Sequence, residues 1–283
     1  MTVLDQDRIE SLLHTKVDDV RGIGARHSWQ LYRVRLADGR NVFAKTADNA
    51  VGALTAEAAG LRWLAEPDAA LPIASVLAAD PTTVLLPWLD NEGPTPHAAE
   101  RFGRELAMLH SHRVEHYGAT WTGYIADLPM DNTTTTAEWS QWYTERRLLP
   151  YLRLATALEP QDLRSVDKAI DRIDTLAGPS EPPSRVHGDL WAGNIIWSNG
   201  RGILVDPAAH GGHRETDLAM LSLFGAPYLD RILASYQEVS PLADGWEQRI
   251  PLHQLYPLLV HVVLFGAGYR RQVADTAAML LSA

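Results

Sequence analysis

The chain of 283 residues contains no cysteine. That absence excludes disulfides, thiolate zinc sites and cysteine nucleophiles together, and removes one reason to expect an oxidising compartment. Positive charge is also in short supply: 25 Lys and Arg face 35 Asp and Glu, a formal net charge of −10. Such a field repels phosphate backbones unless a local basic patch reverses it, so nucleic acid is not the expected partner. Long apolar runs are missing too. The most hydrophobic stretch, about 255–267, is interrupted by Pro257 and His261 and falls short of the roughly 20 residues a bilayer demands. No membrane span is expected. The opening MTVLDQDRIESLL carries acids where a signal peptide has a basic region and an apolar core. With 46% hydrophobic and 21% charged residues, the composition is that of an ordinary globular protein, and the expected compartment is the cytoplasm.

Residues 4–17 space Leu4, Ile9, Leu12 and Leu13 as an amphipathic opening helix. LYRVRLADGRNVFAK then alternates apolar and polar residues around Asp38-Gly39, the signature of a β-hairpin. ALTAEAAGLRWL is rich in helix formers, and TTVLLPWLD is a short strand stopped at Pro87. After a loop with Gly93, Pro94 and Pro96 the pattern turns helical. Thr95-Pro96 offers a cap, and Phe102, Leu106 and Leu109 form a face. Thr135 and Glu138 read as a capping box before a helix from Trp139 that Pro150 should stop or kink. Leu163, Val166, Ile170, Ile173 and Leu176 make another helical stripe, and NIIW and GILVD read as short strands.

The string VHGDLWAGNIIW sets His187, Gly188, Asp189 and Asn194 before an apolar strand that ends at Asp206. Phosphoryl transfer needs a carboxylate to take the acceptor's hydroxyl proton, and oxygen ligands to hold magnesium against nucleotide phosphates. Asp189 would serve as the base, Asn194 and Asp206 as metal ligands. Each residue alone is commonly a turn or cap; their joint spacing points further. H-G-D-x4-N followed by an apolar pair and Asp resembles the catalytic and metal-binding loops of the protein-kinase-like fold, with Gly where protein kinases have Arg. The resemblance implies that Lys45, in Val42-Phe43-Ala44-Lys45, reaches the α and β phosphates and that Glu57 orients it. It places Gly22, Gly24 and Ser28 in a phosphate-covering loop, with Arg26 and His27 near phosphate, although GIGARHSW is not a G-x-G-x-x-G match. At the adenine edge Pro87 would offer a carbonyl and Leu89 an N–H.

A longer stretch narrows the match: Asp206, Pro207, Ala208, Gly212, Arg214, Glu215, Asp217, Leu218, Ala219 and Met220 reproduce a D-P-A-x-x-x-G-x-R-E-x-D-L-A-M block. With WYTERRLLP upstream and LFGAGY downstream, the chain resembles the fructosamine/ketosamine kinase family from about residue 20 onward. That resemblance implies ATP and Mg2+ as cofactors and phosphorylation of the sugar 3-hydroxyl of a ribulosamine, erythrulosamine or fructosamine. It also implies a two-lobed α+β fold: a nucleotide-binding antiparallel-sheet lobe at 1–88 and a helical catalytic and substrate lobe at 89–283. Trp142, Arg147 and His210 are candidate substrate contacts, with core packing the ordinary reading of aromatics at this helical spacing. Glu215 and Asp217 are expected to complement the positive end of their helix. The Gly24-Ala25 pair, where relatives commonly have paired glycines, would weaken nucleotide binding, and the absent loop cysteine argues against thiol regulation. An aminoglycoside, choline or free aminosugar kinase would share the same catalytic residues. A metallohydrolase using His187, Asp189, Asp206, His210 and His213, or an inactive nucleotide-binding module, are the readings from other classes. The sequence leaves the oligomeric state open.

Overall fold

The computed structural model describes residues 4–26, 28–47 and 52–282; His27 lies outside the described residues. Helix α1 (Gln6–Leu13) starts at Asp5, whose carboxylate accepts the Arg8 N–H at 3.1 Å. Strands β1 (Val17–Arg26), β2 (Trp29–Leu36) and β3 (Asn41–Ala47) follow, then α2 (Ala53–Ala65), β4 (Ala78–Asp80) and β5 (Thr83–Pro87). They form one antiparallel sheet in the order β1-β2-β3-β5-β4. The Asp38-Gly39 turn closes β2 on β3, with Asp38 accepting the Arg40 N–H at 3.0 Å.

Strand β1 corrects the sequence reading, which placed Gly22 and Gly24 in a loop ahead of the first strand. Both glycines lie within β1, where the register with β2 shifts between them. The strand escapes pattern reading because it is an edge strand with no buried residue, so neither face shows apolar alternation.

Alternation does set the rest of the sheet. Val42 and Ala44 face α1, packing with Ile9, Val34 and Leu85, while Phe43 and Ala47 face α2 and pack with Leu54, Ala58 and Leu61. Lys45 sits between Phe43 and Ala47, so the period of two aims it at the α2 side.

Helix α3 (Pro96–Ser111) begins as expected, with Thr95 accepting the Ala98 N–H at 3.2 Å and Pro96 in the first turn. A short hairpin of β6 (Gly123–Ile125) and β7 (Leu128–Met130) comes next. The Thr135–Glu138 capping box does not form. Thr135 instead accepts the Ala137 N–H at 3.0 Å, and Glu138 caps without a side-chain bond. Nor does Pro150 stop its helix. Helix α4 (Trp139–Tyr143) passes through a π-helical turn at Thr144–Leu148 into α5 (Leu149–Leu154), and the wider turn accommodates a residue that has no N–H to give.

The chain continues through α6 (Pro160–Asp171), α7 (Ile173–Leu176), β8 (Ser184–Val186), β9 (Ile195–Ser198), β10 (Arg201–Leu204), β11 (His210–Gly212), α8 (Glu215–Leu223), α9 (Leu229–Val239), α10 (Trp246–Phe265) and α11 (Arg270–Ser282). Strand β9 pairs with β10, and β8 with β11. The fold is α+β, a sheet-rich N-terminal region followed by a mainly helical part.

By length and composition Trp246–Ser282, with a mean hydropathy of 1.4, is long and apolar enough to cross a bilayer, yet half of its apolar window is buried inside the fold. The helical stretch is longer than the apolar run visible in the sequence. Leu252, Leu255, Leu258 and Leu259 along it belong to the core beside Trp139 and Tyr143.

Candidate active site

The buried end of β3 holds the first part of the site. Lys45 Nζ lies 2.8 Å from Glu57 Oε2 and 2.6 Å from Asp206 Oδ1, and 3.9 Å from the centre of the Trp29 ring. Burial alone would lower the Lys45 pKa; the Asp206 and Glu57 charges outweigh it and hold the amine well above its ordinary value. Against the same burial, Lys45 holds Asp206 below the usual carboxylate range. Asp206 sits just past β10 with φ +55°, a left-handed turn that swings the following chain away.

The loop after β8 carries the second part. Gly188 has φ +79°, and a Cβ there would run into the Ala208 carbonyl oxygen, which explains why no larger residue stands between His187 and Asp189. His187 braces the loop through its ring, taking the Asp189 N–H on Nδ1 at 3.3 Å and donating from Nε2 to the Val205 carbonyl at 3.0 Å. A 3₁₀ turn at Ala192–Asn194 then brings Asn194 back. Its amide nitrogen donates to the Asp189 carbonyl at 2.8 Å and to Asp189 Oδ2 at 3.0 Å. Burial, and after it the Asp206 charge, pushes the Asp189 carboxyl up to about 8.

Asp217 anchors this loop. Its carboxylate accepts the backbone N–H groups of His187 at 2.7 Å and Gly188 at 2.9 Å, and His110 Nε2 at 3.1 Å. Burial would raise its pKa, but the His110 hydrogen bond leads the causes that bring it below the ordinary value. The expectation that Asp217 and Glu215 complement a helix end is therefore incomplete: Asp217 reaches outside its helix to the His187–Gly188 loop, and Glu215 pairs with Arg249 at 2.6 Å. Asp217→Ala is expected to cost about 3 kcal/mol or more by stranding buried donors. Urea denaturation should show the loss, with Asp217→Asn recovering part of it.

Two cavities meet at these residues. One, of about 350 Å³, is lined by Ile23, Phe43, Lys45, Leu86, Pro87 and Leu89, among others, and reaches Asp206. It is a slot of apolar walls with a lysine at its inner end. The other, of about 370 Å³, opens from Asp189 and is walled by Trp191, Phe224, Tyr256, His261, Phe265 and Tyr269, among others.

Lys45, Glu57, Asp189, Asn194 and Asp206 are thus brought together, with Pro87 and Leu89 along the first cavity. Other candidates fall elsewhere. Gly22 and Gly24 are not on either lining, although a Cβ at either would meet nothing within 4 Å, so the space beside them is open. Ser28 is turned to Asp127 Oδ1 at 2.9 Å, because the β1–β2 tip leans on the β6–β7 turn. Trp142, Arg147 and His210 are buried behind the second cavity and line neither. Arg147 stacks on Trp142 at 4.3 Å and donates to the Asp131 carbonyl at 2.6 Å and Asn132 Oδ1 at 2.7 Å, while His210 bonds the Ala208 carbonyl at 2.8 Å. His210 thus braces the Asp206–Ala208 turn, and Trp142 and Arg147 pack in the core behind it.

Of the metallohydrolase residues Asp189 and Asp206 share a cavity wall, but His187, His210 and His213 do not join them as a metal-holding group. Among the described residues the His and carboxylate groups that do come together in that way are His213, Glu215 and His253. Both Glu215 oxygens are held by Arg249, at 2.8 and 2.6 Å, and a guanidinium there opposes a second cation.

A family model described as fructosamine kinase matches residues 2–283. The chain belongs to the fructosamine kinase family. A Thermus thermophilus relative named "Probable ketoamine kinase" is 32% identical over 238 residues, 82% of this chain and 84% of the relative. A Thermobifida fusca crystal structure provisionally named a fructosamine-3-kinase superimposes with a TM-score of 0.94 at 51% identity, covering 99% of both chains. An aminoglycoside phosphotransferase solved with ADP and hygromycin B shares the fold, with a TM-score of 0.65 at 16% identity and 98% of both chains covered. This fructosamine kinase family member is a phosphotransferase acting on a sugar amine, and its family implies ATP as the phosphoryl donor.

Proposed function

We propose that the chain transfers the γ-phosphoryl group of ATP to the 3-hydroxyl of a ketosamine, a ribulosamine, erythrulosamine or fructosamine, in the cytoplasm. The bond from the γ-phosphorus to its bridging oxygen breaks and one to the acceptor oxygen forms. Asp189 takes the hydroxyl proton and ADP leaves. Lys45, held between Glu57 and Asp206, would steady the nucleotide phosphates, with adenine along Pro87 and Leu89. Asn194 and Asp206 fit magnesium: the asparagine's nitrogen is committed to Asp189, so its oxygen is the end left for a cation, and Asp206 has one carboxylate oxygen that Lys45 does not hold. Bound there, the ion would neutralise phosphate charge.

The acceptor-side cavity supports the substrate reading. Among the described residues its wall carries no charged Asp, Glu, Lys or Arg apart from Arg26, Glu57, Asp189 and Asp206, and its far end is aromatic. Phe224, Phe265 and Tyr269 all pack on His261, with ring centres 5.0, 5.5 and 4.8 Å away. Such faces suit the single protonated amine of a ketosamine and the chain behind it. An aminoglycoside, with several ammonium groups, would call for more carboxylates than the described residues of this wall offer. Once phosphorylated, the adduct should become unstable and release its free amine.

The assay presents Mg-ATP with ribulose, erythrulose and fructose adducts of lysine, following ADP formation and product mass. An aminoglycoside, choline and glucosamine serve as competitors. Phosphorylation of a competitor with none of the three adducts would leave a kinase and remove the ketosamine assignment.

A further inference from the structure

We propose that Arg26, at the end of β1, is a catalytic residue of the phosphoryl transfer: its guanidinium engages the equatorial oxygens of the γ-phosphoryl group as that group passes from ATP to the acceptor. Arg26 lines both cavities, whereas Lys45 lines the nucleotide side alone. The other described residues common to both linings are Trp29, Glu57, Asn194 and Asp206, so among the described residues Arg26 is the cation shared by the two. A group bordering donor and acceptor spaces together is placed where the transferred phosphoryl must cross.

The side chain is also held ready and left free. Its Cζ lies 5.0 Å from the centre of the Trp191 ring, two residues beyond Asp189, so the β1 tip reaches over onto the catalytic loop by a cation–π contact. Among the described residues no hydrogen bond or ion pair occupies its N–H donors. Lys45, by contrast, is committed to Glu57 and Asp206. With Glu57, Asp189 and Asp206 around the junction, a triphosphate adds charge of the same sign. An uncommitted guanidinium, planar and suited to two oxygens at once, is the group that answers it. Arg26 changes no covalent bond; it stabilises charge on the phosphoryl oxygens while the P–O bonds exchange, as an arginine supplied in cis does in other phosphoryl transfers. This role would compensate for the phosphate loop's departure from the paired-glycine pattern.

Arg26 is exposed, so its replacement should leave folding intact. Arg26→Ala is expected to lower kcat by roughly 10²- to 10³-fold, with the KM for ATP little changed, and Arg26→Lys to recover only part. The decisive readout is trapping by Mg-ADP with aluminium fluoride, which imitates the phosphoryl in transit. The variant should bind Mg-ADP as the wild type does and lose the added affinity from aluminium fluoride. Parallel weakening of both complexes would overturn the proposal. So would a loss confined to the KM of fructoselysine and absent with the fructose adduct of butylamine, which would make Arg26 a binder of the acceptor's carboxylate. Rates are compared with the wild type on the same acceptor. A wrong ketosamine assignment would show as wild-type preference for another acceptor, and a wrong Arg26 assignment as Arg26→Ala turning over at the wild-type rate.

Discussion

Asp189→Asn is expected to bind Mg-ATP with near wild-type affinity and to turn over roughly 10²- to 10⁴-fold more slowly, the range for loss of a general base. The substitution keeps the side chain's shape, and the Asn194 amide can still donate to the oxygen that remains, so the loop should hold its position. What disappears is the capacity to accept a proton. The pH profile separates this from a positional effect. A base must be ionised to act, so wild-type turnover should rise with pH through the Asp189 pKa. Burial and then the Asp206 charge place that value at about 8 in the metal-free protein. A divalent cation at Asp206 would offset the second cause and move the rising limb lower. The variant should lose that limb. Near-normal turnover, or a loss of rate that keeps the limb, would remove Asp189 from the role of base.

The residues gathered around Asp189 were legible in the sequence for a physical reason. His187, Asp189 and Asn194 are polar groups flanked by apolar strand residues, and a chain rarely places several such groups at fixed spacing in its interior without a use for them. Lys45 and Glu57 were picked out by the family resemblance, and strand alternation is what aims the lysine at the helix that carries the glutamate. Where period and burial part company, sequence reading stopped. Strand β1 buries neither face, so no alternation marks it, and its Arg26 was read in a loop near phosphate with no sign that it borders both cavities. Asp217 satisfies the local rule for a helix's first turn, which concealed that its partners are backbone donors about thirty residues away. Trp142 and Arg147 fitted both a substrate platform and a core. Folding buries both and leaves neither on a cavity wall, with Arg147 inside a π-helical turn that a 3.6-residue period does not anticipate. The aromatic wall of the acceptor cavity assembles only on folding: Trp191, Phe224 and the stretch from His261 to Tyr269 come from three separate segments.

Asp206→Ala is expected to abolish the magnesium-dependent part of nucleotide binding, a larger effect on ATP affinity than that of any other single change at the site. Asp206 has one task the structure shows and a second proposed for its other oxygen. Oδ1 holds Lys45 at 2.6 Å, and the second oxygen is the charged ligand proposed for magnesium. Removing both leaves Lys45, among the described residues, with Glu57 as its remaining carboxylate partner and leaves Asn194 as a neutral ligand that cannot hold a hydrated divalent ion by itself. Titrating ATP with and without magnesium resolves the two tasks. In the wild type magnesium should raise affinity; in Asp206→Ala that increment should vanish, while metal-free ATP loses little because Lys45 is still present. Glu57→Gln is the control, since it perturbs the lysine from the other side and should retain the magnesium increment. If Asp206→Ala bound Mg-ATP as tightly as the wild type, the metal would belong to another group, and Asp206 would be left as the counter-ion that positions Lys45.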